Sequence, residues 1–170
     1  TFFRDDEPIR DPYFYRDPSV KSTLDDLLST VGKREVFEQT GINHWNVPNS
    51  LWQYHYQARE APDVVESADT LVMLPQVLTH IMGGGVNPDK SIASTTQMFD
   101  IESEAWATGL LDALDLSTDL LPDPKEPGTT VGTLNESFAP GLDSQPKILL
   151  TATHDTACAV AGTPFRADDR

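Results

Sequence analysis

Lys147-Ile-Leu-Leu-Thr-Ala-Thr-His-Asp155-Thr-Ala-Cys-Ala-Val160 reads as a buried strand that runs straight into a helix. Ile148, Leu149 and Leu150 form a short apolar run of the kind a fully buried strand requires, and the spacing predicts an interior strand over 148–152. Residues 156–162 are small and apolar and close on Gly162, as a tightly packed helix does. Asp155 falls at the junction. A carboxylate there sits at the carboxyl edge of a sheet, where open α/β sheets bind their ligands, and at a helix N-terminus, where the dipole favours negative charge. Two roles fit that position. Asp155 is either an N-cap that accepts a backbone N–H, or a positioned base that takes a proton from an alcohol.

Working outward, the chain alternates helical and extended patterns. Residues 1–17 read as extended, with Phe2–Phe3 and Tyr13–Tyr15 expected to pair as strands. Val20, Leu24, Leu27, Leu28 and Val31 follow helical spacing up to Gly32. A short helix is expected around 34–39 with Gly41 as its stop, and another with Asn49 or Ser50 as its cap. Leu71 to Met82 predicts the most apolar helix, with Leu71, Leu74, Leu78 and Ile81 on one face and Pro75 tolerated near its first turn. Gly83-Gly84-Gly85 comes after this helix. A phosphate-cradling loop lies between a strand and a helix start, so the triple glycine reads as a C-cap and turn. Trp106, Leu110, Leu111 and Leu114 mark a further helix, with Ser103 as a candidate cap. Residues 117–146 are rich in proline and glycine and read as a long surface connection.

The composition narrows the function. With 170 residues and 38% apolar content gathered in periodic segments, the chain is long enough for one folded domain. Its formal net charge is −15, from 18 Asp and 9 Glu against 5 Lys and 7 Arg. That excess is dispersed along the chain, a pattern that points to salt adaptation, and it repels phosphate backbones, which argues against nucleic-acid partners. A single cysteine, Cys158, excludes an intrachain disulfide and a cysteine-based zinc site, and reads as a buried packing residue. No segment offers the ~18 uninterrupted apolar residues of a membrane span, and no signal peptide is visible, so a cytoplasmic protein is expected. His44, His55, His80 and His154 show no metal-ligand spacing; His55 and His80 read as helix-surface or half-buried residues. No Gly-x-Ser-x-Gly motif or Cys/His pair supports acyl transfer.

Several segments, in this order, resemble the sugar kinases of the FGGY family, and most of all its rhamnulokinase branch. They are Tyr15-Arg16-Asp17-Pro18; Val31-Gly-Lys-Arg-Glu-Val-Phe-Glu-Gln-Thr-Gly-Ile42; Pro48-Asn49-Ser50-Leu51-Trp52-Gln53; and Ala93-Ser94-Thr95-Thr96-Gln97, followed by Trp106 and Leu110-Leu111. Pro127-Gly128 with Gly132, and Thr153-His154-Asp155-Thr156-Ala157, complete the set.

The resemblance implies an α/β, helix-rich, incomplete actin-like (ribonuclease H-like) domain. Residues 1–170 would be part of the family's N-terminal, sugar-binding domain, with an opening hairpin and a C-terminal ATP-binding domain outside the chain. It implies an ATP-dependent kinase acting on a ketose, L-rhamnulose to L-rhamnulose 1-phosphate, with Mg2+ and ATP held mainly by parts outside this chain. Asp155 aligns with the family's catalytic base. His154, Thr156, Tyr15, Arg16, Asp17, Asn49, Gln53, Thr95, Thr96 and Gln97 are the implied sugar-binding residues; none is implied as a metal ligand. Ser19 and Val20 depart from the Arg and Thr usual in the branch, and Ile92 replaces its usual Asn. Other FGGY activities, xylulokinase or fuculokinase, and a non-catalytic sugar-binding protein of actin-like fold are the alternatives.

Overall fold

The computed structural model describes residues 1–45 and 49–164. Pro48 of the motif above, and residues 165–170, lie outside the described residues. The architecture is mixed α/β and helix-rich, as the sequence predicts, with small sheets set around a helical core.

The chain begins as strand β1 (Phe2–Arg4), which turns at Asp5 and Asp6 into β2 (Glu7–Pro8). Both aspartates have positive φ, 50° and 63°, as a tight hairpin turn requires. That turn is why the expected pairing with Tyr13–Tyr15 does not form: β1 folds back on Glu7–Pro8 at once, and its other edge pairs with β3 (Thr70–Leu71). Residues 13–15 lie outside any strand and lead into a 3₁₀ turn, Pro18–Thr23.

That turn passes into α1 (Leu24–Thr30), and α2 (Lys33–Thr40) follows. Gly41 ends α2 as expected, and does so in the left-handed conformation, at φ 72°. Helix α3 (Ser50–Glu60) packs against the 3₁₀ turn and α1, burying Leu51, Trp52 and Tyr54 with Phe2, Val20 and Leu27. The Phe2 and Tyr54 rings meet at 5.7 Å. His55 is not a surface residue as expected; it is fully buried. Burial lowers its pKa, and Arg59 lowers it further, against the opposing pull of Asp26, whose carboxylate lies 3.3 Å from Nε2.

Helix α4 (Pro62–Glu66) returns the chain to β3. The helix predicted over 71–82 is shorter: Leu71 belongs to β3, and α5 covers Leu74–Ile81 with Pro75 in its first turn. Its apolar stripe does not face the core. Leu74, Leu78 and Ile81 are more than half exposed, whereas Gln76 on the same helix is completely buried.

Short α6 (Lys90–Ala93) precedes a β4 (Phe99–Asp100)–β5 (Ala105–Trp106) hairpin and α7 (Thr108–Ala113). Ser103 does not cap α7; the Asp100 carboxylate accepts the N–H groups of Glu102 and Ser103 and closes the hairpin instead. Leu110 and Leu111 of α7 complete the core. Within the irregular 117–146 stretch, β6 (Thr130–Thr133) pairs antiparallel with β7 (Lys147–Leu149), which leads to α8 (Asp155–Gly162).

The strand predicted as interior over 148–152 is shorter and less buried. It ends at Leu149; Leu149 is 54% exposed, and only Leu150 just beyond it is buried. Among the described residues β7 has one neighbouring strand, β6, so its other edge has no strand paired to it there. Helix α8 buries none of its residues, and Cys158 is exposed, its Sγ donating to Ala152 O at 2.6 Å, not packed inside.

Candidate functional site

Asp155 is the first residue of α8, but β7 ends at Leu149, so residues 150–154 separate the strand from the helix that the sequence reading joins directly. Its side chain is 97% exposed. Oδ1 accepts from the backbone N–H of Thr156 at 2.6 Å and from the Thr156 hydroxyl at 3.2 Å, and His154 Nε2 lies 3.6 Å away. The N-cap position itself is taken by His154, whose side chain caps nothing. Oδ2 of Asp155 is thus free of described partners and turned to solvent on a short stretch of helix.

What anchors this stretch is a residue the sequence reading passed over. Asp89 is completely buried. Its Oδ1 caps α6, accepting from Ser91 N at 2.8 Å, Ile92 N at 3.2 Å and the Ser91 hydroxyl. Its Oδ2 accepts from Thr153 N at 3.1 Å and from the Thr153 hydroxyl. Ser91 Oγ in turn accepts from His154 N at 3.3 Å. The signal for Asp89 was present in Asp89-Lys90-Ser91 ahead of a helix, a capping pattern. Its second oxygen serves a partner 64 residues away, which no local pattern contains.

Helix α6 carries the structure on toward the other motif residues. Thr95 Oγ1 donates to Ile92 O at 2.7 Å, and Thr96 Oγ1 donates to Ala93 O and accepts from Met98 N. Thr96 and Gln97 are both buried, and Gln97 Nε2 donates to His44 O at 3.3 Å, so these two hold the loop. Thr96 O accepts from Leu51 N at 2.9 Å, joining the loop to the first turn of α3, where Asn49 occupies the N-cap position.

Gln53, one turn along α3, lines a cavity of about 180 Å³ together with Tyr13, Tyr15, Ser50, Gln57 and Val72. Tyr15 and Gln53 therefore share one cavity. Asp155, His154 and Thr156 are not among its lining residues, nor are Arg16 and Asp17. Arg16 Nε donates to Tyr15 Oη at 2.7 Å, which orients that phenol. The Asp17 carboxylate accepts from Ser19 N and Ser19 Oγ, capping the 3₁₀ turn, and these bonds lower its pKa. Tyr13 and Gln57 are cavity residues that the sequence motifs did not include; Tyr13 Oη meets Ser19 Oγ at 2.7 Å, and Gln57 Oε1 accepts from Arg10.

Among the described residues no group of three or more His, Cys, Asp and Glu is placed to hold a metal ion, and no helix is long and apolar enough to cross a membrane. The triple glycine is a C-cap and turn as read from the sequence. Gly83 has φ 105°, and Gly84 bridges to Gly132 in β6.

The family described as "FGGY family of carbohydrate kinases, N-terminal domain" matches residues 2–162. The chain is 32% identical to the rhamnulokinase of Pectobacterium atrosepticum over 158 residues, 93% of this chain and 31% of that protein. It is 30% identical to the rhamnulokinase of Ligilactobacillus salivarius over 162 residues, 95% of this chain and 33% of that protein. The chain thus spans about a third of the length of the curated relatives it matches. In fold it is similar to the crystal structure of a xylulose kinase from Rhodospirillum rubrum, with a TM-score of 0.79 at 16% identity, covering 97% of this chain and 34% of that one. A ligand-bound xylulose kinase from Lactobacillus acidophilus superposes with a TM-score of 0.74 at 21% identity, over 87% of this chain and 30% of that one. A match that runs from Phe2 to Gly162 takes in every motif that carried the resemblance, and on that match this chain belongs to the FGGY family of carbohydrate kinases.

Proposed function

We propose that this chain is the sugar-binding part of an ATP-dependent kinase that phosphorylates a ketose, with L-rhamnulose as acceptor and L-rhamnulose 1-phosphate as product. The observation that carries the reading is Asp155: an exposed carboxylate at a strand-to-helix junction, with one oxygen uncommitted and the backbone beneath it tied down. The rhamnulokinase relatives at 30–32% identity support the choice of sugar. In this reading Asp155 takes the proton from the sugar hydroxyl as the oxygen bonds to phosphorus and ADP departs. Phosphoryl transfer asks a protein for positioning and charge neutralisation, and on the acceptor side a base is the main contribution.

Tyr15 and Gln53 would contact the sugar in the cavity they share, and Asn49, Thr95, Arg16 and Asp17 would support its walls. Thr96 and Gln97 would shape the site from beneath, and His154 and Thr156 would flank the base. ATP and Mg2+ would be held mainly outside this chain, as the resemblance to the family implies. Dependence on ATP would put the reaction in the cytoplasm.

The test uses the protein that carries this chain, with ATP, Mg2+ and a panel of L-rhamnulose, D-xylulose and L-fuculose. The expected result is the highest kcat/KM for L-rhamnulose, and a kcat lowered on the order of 10²–10⁴-fold by Asp155→Asn with sugar Kd little changed. Asn keeps the acceptor that Asp155 offers Thr156 N in the first turn of α8, so a kcat within a few-fold of wild type would leave Asp155 with that local structural role alone. A preference for another ketose would overturn the substrate assignment alone.

A further inference from the structure

We propose that Asp89 is a positioning residue for Asp155, fixing the direction in which its carboxylate points, and that Thr153 is the handle through which it acts. This rests on Asp155 being the base.

The argument starts from what does not hold Asp155. Helix α8 buries no residue, and only Ala157 in it is half-buried, so little packing sets its orientation. β7 ends at Leu149, six residues before the carboxylate, and has one neighbouring strand among the described residues. Past the buried Leu150, the bonds from residues 151–154 to other elements are those at Thr153 and His154, and they converge on the α6 cap. Both backbone N–H groups immediately ahead of Asp155 are taken: Thr153 N by Asp89 Oδ2, and His154 N by Ser91 Oγ, itself bonded to Asp89 Oδ1.

The chemistry of Asp89 suits that task. A buried carboxylate presents two acceptors at a fixed separation, and here each already serves a different element: Oδ1 the start of α6, Oδ2 the Asp155 loop. Charge-assisted bonds of this type are shorter and stronger than neutral ones. A neutral amide would keep one acceptor and turn two donors toward groups that also donate. Asn caps helices well, so Asp89→Asn keeps the α6 cap while setting an NH₂ against the Thr153 N–H. The same α6 also leads to Thr95–Gln97 and, through Thr96 O, to the wall of the sugar cavity. Asp89 thus stands where the base loop and the binding wall share one support.

The experiment is a kinetic double-mutant cycle in the protein that carries this chain, with L-rhamnulose and ATP. Asp89→Asn is expected to lower kcat by about 10–100-fold with sugar KM within a few-fold of wild type, the signature of a displaced reacting group. In an Asp155→Asn background, Asp89→Asn should lower kcat no further, because the group it positions is already gone. Thr153→Val, which removes the hydroxyl donor but leaves the N–H, should lower kcat in the same direction, and Thr153→Ser should restore it to within a few-fold. The Thr153 pair decides the matter should Asp89→Asn fail to fold. If Asp89→Asn and Thr153→Val leave kcat unchanged, or if Asp89→Asn multiplies its loss onto that of Asp155→Asn, the positioning role is overturned while the base stands. A silent Asp155→Asn overturns the base, and the positioning role with it.

Discussion

Gly132 of β6 lies so close against Gly84 that a β-carbon on Gly132 would sit 2.7 Å from Gly84 Cα, and closer still to Gly83 O. The turn after α5 is pressed onto the β6–β7 ribbon, with Gly85 N donating to Val131 O at 2.8 Å. Two backbones can meet at this distance only when side chains are missing. Gly132→Ala is expected to destabilise the fold by about 1–3 kcal/mol, the usual range for forced overpacking. Gly109→Ala is the control: it has open space at its β-carbon, lies in α7, and should gain up to about 1 kcal/mol of helix propensity. Urea denaturation of the two variants checks both; equal midpoints would mean the glycine contact carries no constraint.

These glycines also show how far the sequence could be read. Their place after an apolar helix pointed to a C-cap and turn, and Gly41 announced the end of α2, because such signals are local. The packing side of α5 was not local. Leu74, Leu78 and Ile81 mark a stripe correctly but leave open which way it turns, and the buried residue of that helix is Gln76. Residues 148–152 likewise look like an interior strand because their composition reflects burial on both faces, while the described chain supplies one strand neighbour. The place of Asp155 at the start of α8 was legible because a helix-start signal and a motif coincided. Asp89 was legible as a cap but not as an anchor, since two of the five bonds it accepts come from Thr153.

Tyr54 should make the fold sensitive to alkali. Burial pushes its phenol up to about 12 from the ordinary 10, and the protonated phenol donates to Ser117 O at 2.9 Å. Between those values the unfolded chain releases the proton while the folded chain keeps it. The folded state binds more protons, so stability falls as pH rises; the contribution is complete below pH 10 and is lost as pH climbs toward 12. Tyr54→Phe should cost about 1 kcal/mol near pH 8 for the lost hydrogen bond. That deficit should shrink above pH 10, where only the wild type carries the alkaline penalty. A deficit constant from pH 8 to 11.5 would contradict the burial of this phenol.

The net charge of −15 is expected to make the fold more stable as salt rises. Among the described residues few basic groups meet the carboxylates: Arg34 pairs with Glu38, Arg59 with Asp26, and Lys90 with Glu104 and Glu126. Repulsion among the remaining carboxylates is screened over about 10 Å at 0.1 M salt and about 3 Å at 1 M. The thermal midpoint should rise between 0.1 and 2 M potassium chloride. A flat or falling midpoint would mark the acidity as unrelated to salt adaptation.

Gln53 offers the sharpest contrast with Asp155, because the two would fail in different kinetic constants. It stands on α3, two residues past the Thr96–Leu51 link, and lines the cavity beside Tyr15. A side chain that holds the sugar equally in the ground and transition states contributes to KM and leaves kcat alone. One neutral hydrogen bond is worth about 0.5–1.5 kcal/mol, so Gln53→Ala should raise the sugar KM by about 2–10-fold with kcat within a factor of about two. Gln57 Nε2 donates to Gln53 O at 3.3 Å, a backbone contact that the substitution leaves in place, so the helix should keep its shape. Initial rates over a range of L-rhamnulose at saturating ATP give both constants. A fall in kcat matching that of Asp155→Asn, with KM unchanged, would move the sugar out of this cavity and leave Tyr15 and Gln53 as wall residues of a space the reaction does not use.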